Sequence, residues 1–335
     1  DNGGGIPTHQ LWSCAPGIDV GDPAAGNDAN GNTRDANPDI GASEWMMTGD
    51  PNYEVINNND SGIGSLRYGI VNTCADTIFF NPSTDGTPIY ITTEMATDRS
   101  MAIYGNGSTA TLIDGSSATG RGLHVSMGDS LNLRDVAMVK YSNSLDGGAL
   151  LNEGRLVCVG SRFDQNTAFS GAGIYSNENS FLLDLSNCSF DMDSATVNDG
   201  GAVRMIGMTL LVDGCTFTNN HSDFTGGLHA GGYINASISN SNFISNTATQ
   251  QAGGLHVTSG SATSTSITNC TFTGNVVAPV GSGGGALLIG AAGTTTVDSC
   301  VFNGNRAPEG SAVNCWNGRL NLQNSGFENN VSTGF

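Results

Sequence analysis

Apolar and polar residues alternate along this chain in short runs, and Gly, Asn, Ser or Thr interrupts each run after a few residues. One run recurs with the same ending: a Cys or small residue lies two positions before a Phe, and an Asn usually follows the Phe three positions later. Copies lie at residues 186–193, 213–220, 239–246, 268–275, 298–305 and 323–330, with a weaker copy at 160–166. Such alternation predicts short strands, and no stretch has the period of a convincing amphipathic helix.

The phrase returns at a nearly constant interval. Its aromatic residues, from Phe163 to Phe327, are 27, 27, 26, 29, 30 and 25 residues apart. Between copies lie small residues followed by a short aliphatic strand, as in Gly200-Gly201-Ala202-Val203. A repeat that holds only short strands cannot bury its apolar side chains alone, so neighbouring repeats must stack.

We therefore predict an all-β chain folded as a right-handed parallel β-helix, a solenoid with about 27 residues per coil and nine or ten coils. The right hand follows from the general preference of parallel crossover connections.

Stacking places equivalent residues of successive coils in columns. We predict an internal aromatic ladder of Phe190, Phe217, Phe243, Phe272 and Phe302. An amide ladder at a bend contains Asn220, Asn246, Asn275 and Asn305, continued by Asn166 and Asn330. A third column contains Cys188, Cys215, Cys270 and Cys300, which we expect to be buried free thiols. The better disulfide candidates are the four cysteines outside that column, Cys14, Cys74, Cys158 and Cys315.

The two alternating phrases carry a resemblance to a known family. Over residues 145–335 they resemble the repeats of chlamydial polymorphic outer-membrane proteins and related bacterial surface β-helix proteins. Upstream, SGIGSLR at 61–67, DTIFF at 76–80 and LIDG at 112–115 are similar to the opening module of such proteins. Tyr68 and Gly69 replace the Glu-Ala pair that usually follows there. The resemblance implies an opening module at 49–144 and regular β-helix repeats at 145–335.

Residues 14–44 resemble the closing segment that follows the last coil in those relatives, yet here they precede the first coil. We expect residues 1–48 to be a closing-type segment that docks on the C-terminal coil of a neighbouring copy, head to tail. Two alternatives stay open. The segment folds back on its own helix, or the chain is cut from a tandem array in one polypeptide.

Charge and composition narrow the partners. The chain of 335 residues has 11 Lys and Arg against 30 Asp and Glu, a formal net charge of −19. Nucleic acids and anionic membrane surfaces require clustered cations, so neither is an expected partner. No apolar run approaches the roughly 18–20 residues that cross a bilayer, which predicts no membrane insertion. The Gly-, Ser-, Thr- and Asn-rich composition favours a secreted, extracellular or cell-surface protein, processed from a precursor.

Enzymatic chemistry has little support in the sequence. Glycoside hydrolases need two carboxylates at a defined separation, and uronate lyases need a cation beside a base. The acidic residues form no recognisable constellation. We expect a non-catalytic structural protein, a surface fibre or filament subunit or an adhesin stalk, with itself and surface glycans as partners. The alternative is a carbohydrate-binding or carbohydrate-cleaving β-helix protein, which exposed aromatics beside paired carboxylates would favour.

Two places in the sequence offer metal ligands. His229 and His256 occupy equivalent positions in consecutive coils, but no third ligand has matching spacing, so stacked imidazoles without a metal are favoured. Asp28, Asn30, Asn32 and Asp35 alternate about a Gly turn, which suits Ca²⁺. Asx-rich turns without a metal have the same pattern. We expect no other cofactor.

Overall fold

The computed structural model describes residues 26–27, 52–232, 234–260, 263–290 and 293–334. The described residues from 52 onward form four parallel sheets. Each coil between residues 155 and 315 adds one strand to every sheet, and the described coils before and after add strands to three sheets at most. The architecture is a parallel β-helix, as the repeat predicts. The ten strands of the second sheet agree with the predicted nine or ten coils.

The first two sheets in each coil carry most of the strands. Sheet 1 has eleven strands: Asn52–Val55, Thr77–Phe80, Met101–Tyr104, Ser130–Arg134, Arg155–Val159, Leu182–Ser186, Thr209–Asp213, Asn235–Ser239, Ser264–Thr268, Thr294–Asp298 and Arg319–Gln323. Sheet 2 has ten: Ile89–Tyr90, Leu112–Asp114, Ala137–Val139, Arg162–Asp164, Ser189–Asp191, Thr216–Thr218, Asn242–Ile244, Thr271–Thr273, Val301–Asn303 and Gly326–Glu328.

The other two sheets complete the coil. Sheet 3 has seven two-residue strands: Thr167–Ala168, Ser194–Ala195, His221–Ser222, Thr247–Ala248, Val276–Val277, Arg306–Ala307 and Val331–Ser332. Sheet 4 has nine: Met95–Ala96, Leu123–Val125, Leu150–Asn152, Ile174–Ser176, Val203–Met205, Leu228–Gly232, Leu255–Ser259, Leu287–Ile289 and Val313–Cys315.

Single residues in the left-handed conformation make the two sharp bends of each coil. Asn187 and Asn240, with φ of 54° and 50°, separate sheet 1 from sheet 2, and Asn219, with φ of 55°, separates sheet 2 from sheet 3. Asn and Gly tolerate positive φ better than other residues. The Asn- and Gly-rich phrases of the sequence are therefore the corners of the coil.

One short helix departs from the prediction that no helix forms. Helix α1, Leu66–Asn72, begins at Ser65, whose hydroxyl accepts a hydrogen bond from the Tyr68 amide. Leu66 and Ile70 are fully buried in the core beside the first strands of sheets 1 and 4. A seven-residue helix is too short to show a period in the sequence, and its N-cap is the clearest local signal. Among the described residues no helix is long and apolar enough to span a membrane.

The predicted aromatic residues form one continuous column inside the helix. Neighbouring rings from Phe163 to Phe327 stack with centroids 4.8–5.0 Å apart and planes within 6° of parallel. The rings from Phe163 to Phe302 are fully buried. This spacing equals the distance between strands of a sheet, so stacking follows from parallel register alone.

The predicted amides lie in a second buried column. Asn246 Nδ2 donates to the Phe217 carbonyl at 2.9 Å and to Asn275 Oδ1 at 3.0 Å. The same two hydrogen bonds are repeated by Asn220 one coil earlier and by Asn275 and Asn305 one and two coils later. The column satisfies carbonyl groups that leave the sheet at the bend.

The cysteines divide differently from the sequence-based expectation. Cys188, Cys215, Cys270 and Cys300 are buried free thiols at equivalent positions. Cys74 is disulfide-bonded, and Cys14 lies outside the described residues. Cys158 and Cys315 are free, so their prediction as disulfide partners is wrong. Cys158 points into the core in register with Leu133 and Leu185, where no thiol faces it.

Candidate functional site

The face of sheet 4 that points away from the core carries a row of unlike polar and aromatic side chains. In register along this row lie His124, Leu151, Tyr175, Arg204, His229, His256, Leu288 and Asn314. Arg204 lies over the Tyr175 ring at 5.6 Å from its centroid. Unlike the Phe and Asn columns, this row does not repeat one residue type, so the repeat itself does not explain its composition.

The predicted His pair is stacked within this row. The rings of His229 and His256 lie 4.9 Å apart at an interplanar angle of 12°, and each residue is only 6% exposed. Asp199, from the segment that precedes the Val203–Met205 strand, joins them: its Oδ2 lies 3.1 Å from His229 Nδ1. Within the described residues, these three side chains form one group whose ligand atoms all lie within 4.8 Å of one another.

Threonine hydroxyls hold the group in place. Thr258 Oγ1 lies 3.1 Å from His229 Nε2. Thr225 Oγ1 donates to Asp199 Oδ1 at 3.0 Å and lies 3.4 Å from His256 Nδ1. His229 Nδ1 itself makes no hydrogen bond of acceptable geometry, although the Asp199 carboxylate is adjacent.

Burial and neighbouring charges set the protonation of the group. Burial lowers the pKa of His256 to about 3, and the adjacent His229 lowers it further, so His256 is neutral at physiological pH. Burial opposes ionisation of Asp199, but the two histidines and Arg204 outweigh it and hold the pKa of that carboxyl well below its usual range. A neutral imidazole and an ionised carboxylate therefore lie side by side.

A second charged group lies upstream in the same row. His124 contacts two carboxylates, Glu153 Oε2 at 2.9 Å from Nε2 and Glu94 Oε1 at 3.4 Å from Nδ1. The hydrogen bond to Glu94 is the largest cause that raises the pKa of His124, with burial opposing it. Arg121 pairs with Glu94 at 3.0 Å. Because the two carboxylates lie on different ring nitrogens, this group is an ion-pair network rather than a set of ligands that face one point.

A shallow groove runs across the outer face of sheet 1. Its lining consists mostly of hydroxyl and amide side chains: Thr209, Leu211, Asn235, Ala236, Ser237, Ser264, Thr265, Ser266 and Thr296. These residues supply hydrogen-bonding groups without a carboxylate pair, which is the surface that the structural interpretation expects.

The last described coil has a different surface. A pocket there is lined by Gly310, Ser311, Ala312, Val313, Cys315, Leu320, Leu322 and Phe327. Phe327 is 45% exposed although it belongs to the same column as the fully buried Phe302. Among the described residues, no further coil covers these apolar side chains.

Sequence reasoning found part of this site. It identified the His pair but missed Asp199, Glu94 and Glu153. Asp199 comes directly before the Gly200-Gly201 pair. Comparison of the residues that precede each Gly-Gly pair would have identified it as a carboxylate close to the strands that carry the histidines. The candidate calcium ligands Asp28, Asn30, Asn32 and Asp35, and the closing-type segment 1–48 apart from Gly26 and Asn27, lie outside the described residues.

Comparison with known proteins supports the fold and its hand. Residues 138–302 match the family model described as "Right handed beta helix region", which agrees with the predicted right-handed solenoid. No match was found among curated proteins or among solved structures. The more specific resemblance to chlamydial surface proteins, with the opening module and the closing segment, stays a prediction.

Proposed function

We propose that this right-handed parallel β-helix protein is a non-catalytic structural subunit of an extracellular or cell-surface assembly. Copies of the chain join head to tail, and residues 1–48 of one copy cover the C-terminal coil of another. The observation that carries the proposal is the difference between the two ends of the described solenoid. Helix α1 packs on the first strands of sheets 1 and 4, whereas the last coil exposes core residues.

The apolar residues exposed on the last described coil occupy positions that are buried in the preceding coils. Leu322 is 44% exposed, while Val297 and Ile267, which precede it in its column, are fully buried. The last strands of the sheets, such as Arg319–Gln323, also have no further strand beside them among the described residues. Unpaired strand edges with exposed apolar side chains are a template on which another chain adds strands.

The sequence of residues 1–48 supplies the proposed occupant. Residues 14–44 resemble the closing segment that follows the last coil in other β-helix proteins. We therefore propose that residues 1–48 of a second copy bind the last coil. The contact joins two different surfaces, and such heterologous contacts build open filaments unless the rotation closes a ring. The net charge of −19 opposes sideways association of the resulting rods.

The side-chain inventory supports a structural role. The Phe, Asn and Cys side chains of the columns are buried and take part in stacking or backbone hydrogen bonds. The groove on sheet 1 exposes hydroxyl and amide groups. Such a surface suits hydrogen bonding to glycans at a cell surface without chemistry on them.

The test compares the full chain with a variant that lacks residues 1–48, by sedimentation velocity and negative-stain electron microscopy at increasing concentration. We expect the full chain to form rods or filaments and the shortened chain to stay monomeric with a β-rich circular dichroism spectrum. A peptide of residues 1–48, added in excess, should block assembly of the full chain. Assembly of the shortened chain, or a full chain that stays monomeric at all concentrations, would overturn the proposal.

Point variants separate docking from general loss of apolar surface. Leu322→Asp on the last coil should prevent assembly, whereas Val280→Asp should not. Val280 is a matched control because it is an exposed aliphatic residue, 85% accessible, in a loop away from the last coil. Thermal unfolding of both variants checks that the solenoid is retained, and equal assembly by the two would contradict the assigned surface.

A further inference from the structure

The Asp199–His229–His256 group lies in a buried environment, where polar side chains lower the stability of the fold unless they have partners. His229 and His256 are each more than nine-tenths buried, and Leu288, the next residue of the row, is fully buried and apolar. An aliphatic side chain is therefore compatible with this environment, and two imidazoles are not needed to stack the coils. Buried polar groups cost free energy unless they gain a partner.

One ring nitrogen of the group, His229 Nδ1, lacks a hydrogen-bond partner. His229 Nδ1 is buried and lies 3.1 Å from Asp199 Oδ2, but the angle does not allow a hydrogen bond. The other nitrogen of that ring faces Thr258 Oγ1 at 3.1 Å. His229 Nδ1 is therefore buried beside a carboxylate without a hydrogen bond to it.

We propose that Asp199, His229 and His256 bind one divalent transition-metal ion of the Zn²⁺ type. Two imidazoles and one carboxylate are a donor set that zinc accepts, with bonds of about 2.0–2.2 Å, and three protein ligands leave a further position open. The donor atoms lie within 4.8 Å of one another, and binding one ion requires the two stacked rings to rotate out of parallel so that each donor lies about 2 Å from the metal.

The surroundings support this set of ligands. The hydroxyls of Thr258 and Thr225 contact His229, His256 and Asp199, and hydrogen-bonding neighbours of this kind orient the ligands in metal sites. Space for the rings depends on glycine: a Cβ at Gly231 would lie 2.8 Å from His229 Nε2, and one at Gly290 would lie 3.3 Å from His256 Nε2.

The ligands come from three successive coils, since Asp199 precedes the Val203–Met205 strand and the histidines lie on the next two strands of sheet 4. A bound ion would therefore add a further link between coils that the parallel strands of sheet 4 already join. This role is compatible with the proposed structural function but does not depend on assembly, because all three residues belong to one chain.

The experiment uses the full chain without a histidine tag, stripped with a chelator. Binding of Zn²⁺ is measured by calorimetry, and Co²⁺ is used as a spectroscopic probe of the coordination. We expect one ion per chain, a Co²⁺ absorption spectrum with His ligand character, and a rise in the unfolding temperature on addition of Zn²⁺.

Variants assign the ligands. Asp199→Asn and His256→Leu should each weaken Zn²⁺ binding at least tenfold and abolish the thermal shift; Leu is chosen because Leu288 occupies the next place in the row. His221→Gln is the control, since His221 is an exposed histidine of sheet 3 that contacts Thr247. Equal binding by the ligand variants and the control, or no stoichiometric binding by the wild type, would overturn the proposal and leave an Asp–His ion pair as the role of the group. Neither result affects the assembly test.

Discussion

Among single residues, Asp193 stands where the amide column requires an Asn. Its Oδ1 accepts hydrogen bonds from the backbone and side-chain amides of Asn166, both at 2.9 Å, but its Oδ2 is buried without a hydrogen-bond partner. At the equivalent place Asn220 Nδ2 donates to the Phe190 carbonyl. Burial raises the pKa of Asp193 well above its usual range, and a protonated carboxyl would supply the missing donor.

Replacing Asp193 by Asn should therefore stabilise the protein by about 1–3 kcal/mol, because the amide supplies the donor that a carboxylate lacks. The gain should increase with pH. A raised native pKa means that the stability contributed by Asp193 is complete below the unfolded pKa of about 3.9 and is lost as pH rises through the native pKa. Urea unfolding at about pH 4.5 and about pH 8 measures both effects.

The opposite substitution is the control for that prediction. Asn246→Asp places a carboxylate at an equivalent buried position of the same column and should destabilise the protein, more strongly at the higher pH. If Asp193→Asn lowers the free energy of unfolding, or if its effect is the same at both pH values, the assignment of a protonated Asp193 is wrong.

The free cysteines should differ sharply in reactivity. Cys158, Cys188, Cys215, Cys270 and Cys300 are buried, and burial raises the pKa of the Cys158 thiol, whereas Cys315 is exposed. Since the thiolate is the reactive form, iodoacetamide should modify Cys315 in the native protein and the other five only after unfolding. Peptide mass spectrometry reads out each site. Rapid native labelling of Cys215 or Cys270 would contradict the buried column.

Among elements, the Phe ladder shows how strongly position along the solenoid affects stability. Phe243 is fully buried with stacked rings on both sides, at 4.8 Å from Phe217 and from Phe272. Phe327 has a neighbour on one side only, Phe302 at 5.0 Å, and is 45% exposed. The same side chain in the same column therefore loses different amounts of packing when it is truncated.

Phe243→Ala should lower the free energy of unfolding by about 3–5 kcal/mol, through lost burial and the cavity left between two rings. Phe327→Ala should cost less than half of that, because about half of the ring surface is already in solvent. Chemical unfolding of the two variants tests the difference. The comparison is made in the chain without residues 1–48, because the proposed head-to-tail contact would cover Phe327 in the full chain. Equal costs in the shortened chain would contradict the exposed position of Phe327.

On the scale of the whole molecule, the described solenoid is a one-dimensional stack in which neighbouring coils contact each other through parallel sheets, four of them between residues 155 and 315. Stability in such a stack is roughly a sum of coil terms and interfaces between adjacent coils. Register, rather than any one long-range contact, then decides whether the chain folds. Val276 pairs with Arg306 in sheet 3, so residues 276–305 constitute one complete coil.

Deleting residues 276–305 should leave a folded β-helix that is one coil shorter. Asn275 then joins Arg306, and the columns continue with Phe272 facing Phe327 and Asn275 facing Asn330. Circular dichroism should retain its β-sheet form, and the unfolding temperature should fall by only a few degrees, as for a moderate loss of stability in a domain of this size.

A half-coil deletion of residues 276–290 is the matched control. It brings unlike positions into register and places core residues on the outer face, so this variant should be insoluble or unfolded. If both deletions behave alike, the coils are not independent units and the additive description of the stack is wrong.

The sequence by itself determined the repeating part of this protein. In a parallel stack each residue lies on its equivalent in the next coil, so a period of about 27 residues is enough to place the Phe, Asn and Cys columns and the stacked pair His229 and His256. The β-helix followed from the same period and its right hand from the general preference of parallel crossovers, and the family match agrees with both.

Only the tertiary structure decided what breaks the period. Asp199 lies in the segment between sheets 3 and 4, outside the strand columns, and its contact with His229 joins unlike positions of neighbouring coils. Cys158 is free because its neighbours across the coils are Leu133 and Leu185, and helix α1 forms where a local N-cap and burial of Leu66 outweigh the lack of helical period. Contacts between unlike positions depend on the path of the chain in three dimensions, whereas contacts between like positions depend only on the repeat.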